Sequence, residues 1–164
     1  IIFIYYYNRM RLKNMLDEKN LIIKEKNPFN LFSKWYELAI QKELNDPNAM
    51  NLSTVSKKSK PSCRIVLLKS FNESGFVFYT NYKSKKGLSI LSNPYVSLTF
   101  HWKSLMRQVR IEGKASLISK KEADDYFKTR PYESRIGAWA SNQSKELKNR
   151  NELELRYEKF KKNF

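Results

Sequence analysis

The sequence has one cysteine and one histidine, the residue types that most often carry redox and metal chemistry. Cys63 alone cannot form an intrachain disulfide. With His101 as the sole imidazole, a structural zinc site lacks its usual ligands, and no metal is expected. This cysteine usage fits a reducing, cytoplasmic setting. Phosphate-cradling and nucleophile motifs are missing as well: there is no G-x-G-x-x-G, Walker A pattern, G-x-S-x-G or C-x-x-C. A Ser-His-Asp arrangement would have to use His101, which lies within the aromatic run Phe100-His101-Trp102 and reads as structural. No internal repeat and no Gly/Ser-rich linker interrupts the 164 residues, the usual size of one domain with one core. The apolar stretch Ile1–Tyr7 is too short to span a bilayer. It has neither a basic region before it nor a small-residue cleavage site after it, and Met10 follows closely. It is expected to be an upstream extension or a fragment edge, with an interfacial anchor as the alternative; no membrane association is expected.

Acidic residues are also scarce. Sixteen Asp and Glu face thirty-two Lys and Arg, for a net charge of +16. Such a balance can mark a polyanion partner. Here the lysines are scattered rather than gathered in a stripe. Lys, Asn, Ile, Tyr and Phe share A/T-rich codons, so compositional drift gives the same look. Nucleic acid is not expected as a partner, whereas attraction of small phosphorylated anions is. Hydrophobic residues at 41% place the chain in the globular class, and aromatics at 14% suit a sheet-rich core.

Residues 8–27 are polar and basic and read as an arm. From Asn27-Pro28 the pattern changes. Pro28 suits a first helical position, and Leu31, Phe32, Trp35, Leu38 and Ala39 recur at helical spacing to about Leu44, before Asp46-Pro47. Strands are predicted at 49–55, 61–69, 76–80, 95–102 and 106–118, the last with Gly113 as a bulge or close approach. Residues 71–75 read as a turn, and a short helix is predicted at 84–91. Helices follow from Lys120, capped by Ser119 with Glu122 three residues on; over 132–140, after Arg130-Pro131; and over 145–162, with Ser144 as its cap. Consecutive short strands with few helices between them favour an antiparallel barrel over a parallel sheet.

Cationic and polar residues gather at the ends of these elements. Arg64 and Lys69 bracket an apolar strand, where a period of two puts them on opposite faces. Ser84-Lys85-Lys86-Gly87 opens a helix whose backbone N–H groups and lysines could hold a phosphate, although such a lysine pair is commonly just solvated. Gln108, between Arg107 and Arg110, could meet a heterocycle edge or simply face outward on a half-exposed sheet. Tyr126 and Arg130 share a helix face, and Ser134 sits in the first turn of the next helix. Phenol, guanidinium, hydroxyl and helix N-terminus could together hold a dianionic phosphate.

Taken in order, these segments resemble the pyridoxine/pyridoxamine 5'-phosphate oxidase family from about Pro28 to Phe164. The stretches that carry the likeness include Asp46-Pro-Asn-Ala-Met50, Arg64-Ile-Val-Leu-Leu-Lys69, Gly75-Phe-Val-Phe-Tyr-Thr-Asn81 and Ser84-Lys-Lys-Gly87. They continue with Asn93-Pro94, Phe100-His-Trp102, Arg107-Gln-Val-Arg-Ile-Glu-Gly113, Tyr126-Phe127, Arg130-Pro131, Ile136-Gly-Ala-Trp-Ala-Ser141 and Gln143-Ser144.

The resemblance implies an FMN-binding split β-barrel with flanking helices, mainly β in class, that forms a homodimer with FMN in the groove between subunits. It implies a domain over 28–164 preceded by the arm at 1–27. The implied reaction is oxidation of pyridoxamine or pyridoxine 5'-phosphate to pyridoxal 5'-phosphate with O2 as acceptor. By the same match, Arg64, Ile65, Val66, Leu67, Leu68, Lys69, Tyr79, Thr80, Lys85, Lys86, Gln108, Gln143 and Ser144 are FMN contacts. Lys69, Tyr126, Arg130 and Ser134 hold the substrate phosphate. Lys85 stands where the family usually has Arg, which keeps charge but loses bidentate geometry. The family continues into C-terminal strands with a Trp, an Arg-x-His pair and a further Arg, none of which this sequence contains. Its catalytic residues are therefore not assigned here. The chain is expected to end on an exposed sheet edge and, by itself, to have little or no oxidase activity. A non-catalytic binder of FMN or pyridoxal phosphate is the alternative, and a basic nucleic-acid-binding protein a third.

Overall fold

The computed structural model describes residues 3–14 and 25–163. Six antiparallel strands close into a barrel: β1 (Phe3–Asn14), β2 (Ala49–Val55), β3 (Pro61–Asn72), β4 (Gly75–Phe78), β5 (Tyr95–Trp102) and β6 (Arg107–Ser116), in the ring order β1-β4-β3-β2-β5-β6. Five helices flank it: α1 (Pro28–Lys42), α2 (Lys85–Ser92), α3 (Lys120–Thr129), α4 (Tyr132–Ala140) and α5 (Arg150–Lys161). The expected class, a barrel with flanking helices, is the one found.

Alternation sets the core. Met50, Leu52 and Thr54 of β2, Val66 and Leu68 of β3, and Leu98, Phe100 and Trp102 of β5 are buried. So are Val109, Ile111 and Ala115 of β6. Their neighbours in sequence face out, as a period of two requires. α1 closes over this interior. Asn27 caps it by accepting from the Phe29 and Asn30 amides at 2.8 and 3.4 Å, with Pro28 at its first position. The helix buries Leu31, Phe32, Trp35 and Ala39. The Phe32 ring meets Phe71, Phe76, Phe100 and Trp102 at centroid distances of 4.7 to 5.7 Å, so one side chain ties α1 to three strands. The buried Trp102 indole donates to the Pro47 carbonyl at 2.8 Å, so no donor is stranded.

Three expectations are corrected. The first concerns the N-terminal stretch, read as carrying no element. Phe3–Asn14 is a strand that pairs with β4 over Phe3–Tyr5 and with β6 over Ile4–Asn14. A register shift falls between Tyr7 and Arg9, opposite Gly113 and Glu112, so the pairing does not keep one register along the strand. The second follows from it: the expected exposed sheet edge is absent among the described residues, because β1 stands between β4 and β6 and closes the ring. The third is α5, expected to start at Ser144. Ser144 has φ 67, a left-handed backbone unlike the extended one an N-cap needs. Asn149 is extended and accepts from the Glu152 amide at 2.9 Å, so the helix starts at Arg150. Smaller differences lie at the β3–β4 hairpin. β3 runs on to Asn72, whose side chain accepts from the Ser74 amide at 2.8 Å, and Gly75 takes φ 149, a region glycine adopts freely.

Candidate functional site

A cavity of about 760 Å³ lies where the outer face of β3 meets the end of β4, α2, α3 and α4. Strand alternation turns Ile65, Leu67 and Lys69 toward it while Val66 contributes from the core side. Tyr79, Thr80 and Asn81 line it just past β4, Lys86 from α2, and Tyr126, Thr129 and Arg130 from α3 and its cap. Pro131, Ser134, Gly137 and Ala138 of α4, with Ser141 and Gln143, complete the wall. Three of these residues are cations, Lys69, Lys86 and Arg130, and none is a carboxylate. A site so lined is selective for anions.

One end is built on α2. Ser84 caps the helix by accepting from the Gly87 amide at 3.3 Å. Gly87 is required there: a Cβ would stand 2.3 Å from the Tyr82 carbonyl oxygen. This close approach fixes Lys86 beside the cavity. Its Nζ donates to Gln143 Oε1 at 2.9 Å, and the Thr80 hydroxyl donates to the same oxygen at 3.3 Å. Burial pushes the Lys86 ammonium below the ordinary lysine range, and the nearby Arg64 guanidinium adds to that push. Arg64 donates to the Leu52 carbonyl at 3.0 Å and to Thr54 Oγ1 at 2.8 Å, and burial lowers its pKa too.

The other end is built on the α3–α4 junction. Arg130 caps the C-terminus of α3 with its guanidinium 5.8 Å from the Phe127 ring centre. Pro131, at the N-cap of α4, makes no side-chain cap, so among the described residues the first-turn amides beside Ser134 lack a capping side chain. The Tyr79 and Tyr126 rings stack at 3.5 Å between centroids and 6° between planes. Burial holds the Tyr79 phenol above its usual pKa, with Glu122 and Tyr126 contributing. The stack also borders a second cavity of about 700 Å³, more apolar, lined on its far side by Leu91, Leu117, Phe127 and Trp139.

Of the residues singled out from the sequence as FMN contacts, the cavity gathers Ile65, Val66, Leu67, Lys69, Tyr79, Thr80, Lys86 and Gln143. It also gathers Tyr126, Arg130 and Ser134 from the phosphate set. Five residues do not line it. Leu68 is in the core, and the Arg64 guanidinium is bound to Leu52 and Thr54 of β2. Lys85 and Ser144 are exposed, and Gln108 sits on the outer face of β6 opposite His101. The sequence assigns no site role to Thr129, Gly137 or Ala138, which carry no charge, although the last two lie within the Ile136–Ser141 stretch. Gly137 is legible only in space: a Cβ there would meet nothing within 4 Å, so α4 presents a bare backbone to the cavity. Among the described residues no helix is long and apolar enough to cross a membrane.

Residues 37–164 match the family model described as pyridoxamine 5'-phosphate oxidase. A pyridoxine/pyridoxamine 5'-phosphate oxidase of Pelagibacter ubique is 50% identical over 155 residues, 94% of this chain and 74% of its own length. That of Bartonella henselae is 54% identical over 141 residues, covering 86% and 68%. Among solved structures, PhzG from Burkholderia lata 383, in complex with tetrahydrophenazine-1-carboxylic acid, superimposes with a TM-score of 0.78. It is 25% identical and covers 83% of this chain and 67% of its own. A pyridoxamine 5'-phosphate oxidase-related, FMN-binding protein from Nostoc punctiforme shares the fold with a TM-score of 0.64 at 18% identity, over 79% and 72% of the two chains.

Proposed function

The chain belongs to the pyridoxamine 5'-phosphate oxidase family, and from that premise we propose that it oxidises pyridoxamine or pyridoxine 5'-phosphate to pyridoxal 5'-phosphate with FMN and O2. One observation supports this most: among the described residues a single cavity is lined by three cations and no carboxylate, with Lys86 on α2 at one end and Arg130 at the α3–α4 junction at the other. One end suits the FMN phosphate and the other the substrate phosphate.

The residues fit FMN on physical grounds. Lys86 carries a partly desolvated charge near a second cation, Arg64, and its hydrogen-bond partner is a neutral amide. A phosphate there would compensate both charges. When bound, FMN would supply the redox chemistry, taking a hydride equivalent from C4' of the substrate and passing two electrons to O2 to give hydrogen peroxide, with water converting the imine from pyridoxamine 5'-phosphate to the aldehyde and ammonia. The protein's part is orientation. Lys69, Arg130, the Tyr126 and Ser134 hydroxyls and the first-turn amides of α4 would tether the substrate phosphate. Thr80 and Gln143 would steady Lys86 at the other end. Ile65 and Leu67 form an apolar wall that is 64% and 38% exposed in the single chain, surface that a flavin and a second subunit would cover. In such a homodimer Gln108 and Ser144, remote from the cavity of their own chain, could approach the cavity of the partner. Purified protein is expected to carry FMN and to sediment as a dimer. A folded monomer free of flavin, and unable to take it up when added, would refute the reading.

A further inference from the structure

We infer that Tyr79 is a positioning residue for the substrate end of the cavity: its ring holds the Tyr126 ring in the orientation that presents the Tyr126 hydroxyl to the substrate phosphate. This deepens the function proposed above and rests on it. The resemblance casts Tyr79 as an FMN contact, and in the structure its ring also packs on Tyr126. It lies flat on Tyr126 at 3.5 Å and 6°, the closest and most nearly parallel ring pair among the described residues. Both residues line both cavities, so the stack is a shared partition. Tyr126 is half-buried on α3, and among the described residues its hydroxyl makes no hydrogen bond that would fix the side chain. A phenol with free χ angles next to an apolar cavity of about 700 Å³ has a second place to go. The Tyr79 ring, anchored by the strand end at β4, removes that freedom before ligand arrives. A tether that is already ordered loses less entropy on binding.

The inference separates Tyr79 from the groups that touch phosphate. Its hydroxyl should be dispensable and its ring should not. FMN-loaded protein is titrated with 4'-deoxypyridoxine 5'-phosphate, which lacks the oxidisable group, and binding is read from the flavin absorbance. Tyr79→Phe is expected to bind as the native protein does. Tyr79→Leu is expected to bind the analogue about two- to tenfold more weakly, the range for losing one aromatic pair, a larger loss than in FMN affinity. The decisive arm is the double variant. If Tyr79 acts through Tyr126, then Tyr79→Leu adds nothing further to Tyr126→Leu. Should Tyr79→Leu fail to fold, Tyr79→Met removes the stack while keeping a flexible apolar side chain. Additive losses in the double variant, or a loss confined to FMN, would overturn the inference while leaving the proposed function intact. Failure of the native FMN-loaded protein to bind the analogue would instead sink the proposed function itself.

Discussion

Replacing Lys86 with alanine isolates the phosphate half of the cofactor site. In the native protein Lys86 is partly desolvated, donates to Gln143 at 2.9 Å and stands near Arg64. Among the described residues no carboxylate lines the cavity to balance its charge. A charge-assisted hydrogen bond is worth about 1.5–3 kcal/mol, so Lys86→Ala should weaken FMN roughly ten- to hundredfold. Riboflavin lacks the phosphate and should change by less than about twofold. The assay is quenching of flavin fluorescence, titrated for both ligands against both proteins. The depressed Lys86 pKa adds a pH signature. The folded state disfavours the charged lysine, so as pH rises through the lowered pKa toward the ordinary 10.5 the unfolded chain binds more protons. The flavin-free protein therefore gains stability from this group over that interval, while FMN affinity falls because the ammonium is lost. An equal loss of riboflavin and FMN in Lys86→Ala would refute the phosphate assignment.

Other consequences follow from the same geometry. Arg130→Ala should weaken a B6 phosphate about ten- to hundredfold and FMN far less, by calorimetry on FMN-loaded and flavin-free protein. Gly87→Ala forces a Cβ to within 2.3 Å of the Tyr82 carbonyl. It should cost about 1–3 kcal/mol in urea unfolding and weaken FMN with it, whereas Gly137→Ala, with open space around its Cβ, should fold normally. Phe32→Ala removes the ring that joins α1 to β3, β4 and β5 and should cost about 3–5 kcal/mol, read as a lower urea midpoint.

The barrel was legible because its strands alternate cleanly between turns: Ala49–Val55 and Tyr95–Trp102 run the same in sequence and in space. The α3–α4 grouping was legible because Tyr126, Arg130 and Ser134 stand at helical spacings around one proline. β1 was not, because its pairing changes register between Tyr7 and Arg9 and residues 8–14 are polar and basic. The start of α5 was misjudged because serine and asparagine both cap helices, and only the left-handed backbone at Ser144 decides between them. Nothing in the spacing of Lys86, Thr80 and Gln143 joins them, since the bonds between them span 57 and 63 residues. Nor does any pattern put the Tyr79 ring on Tyr126; that contact depends on how α3 settles against the end of β4.

The central claim is that one cavity brings FMN and a B6 phosphate together in reactive order. The most direct measurement mixes FMN-loaded protein with pyridoxamine 5'-phosphate in the absence of oxygen and follows flavin absorbance through a single turnover. Flavin reduction is expected at a rate that saturates with pyridoxamine 5'-phosphate, with none from unphosphorylated pyridoxamine at the same concentration; admitting O2 should then return the oxidised spectrum with hydrogen peroxide. A bound flavin that stays oxidised at saturating pyridoxamine 5'-phosphate, or one reduced equally well by pyridoxamine, would contradict the claim.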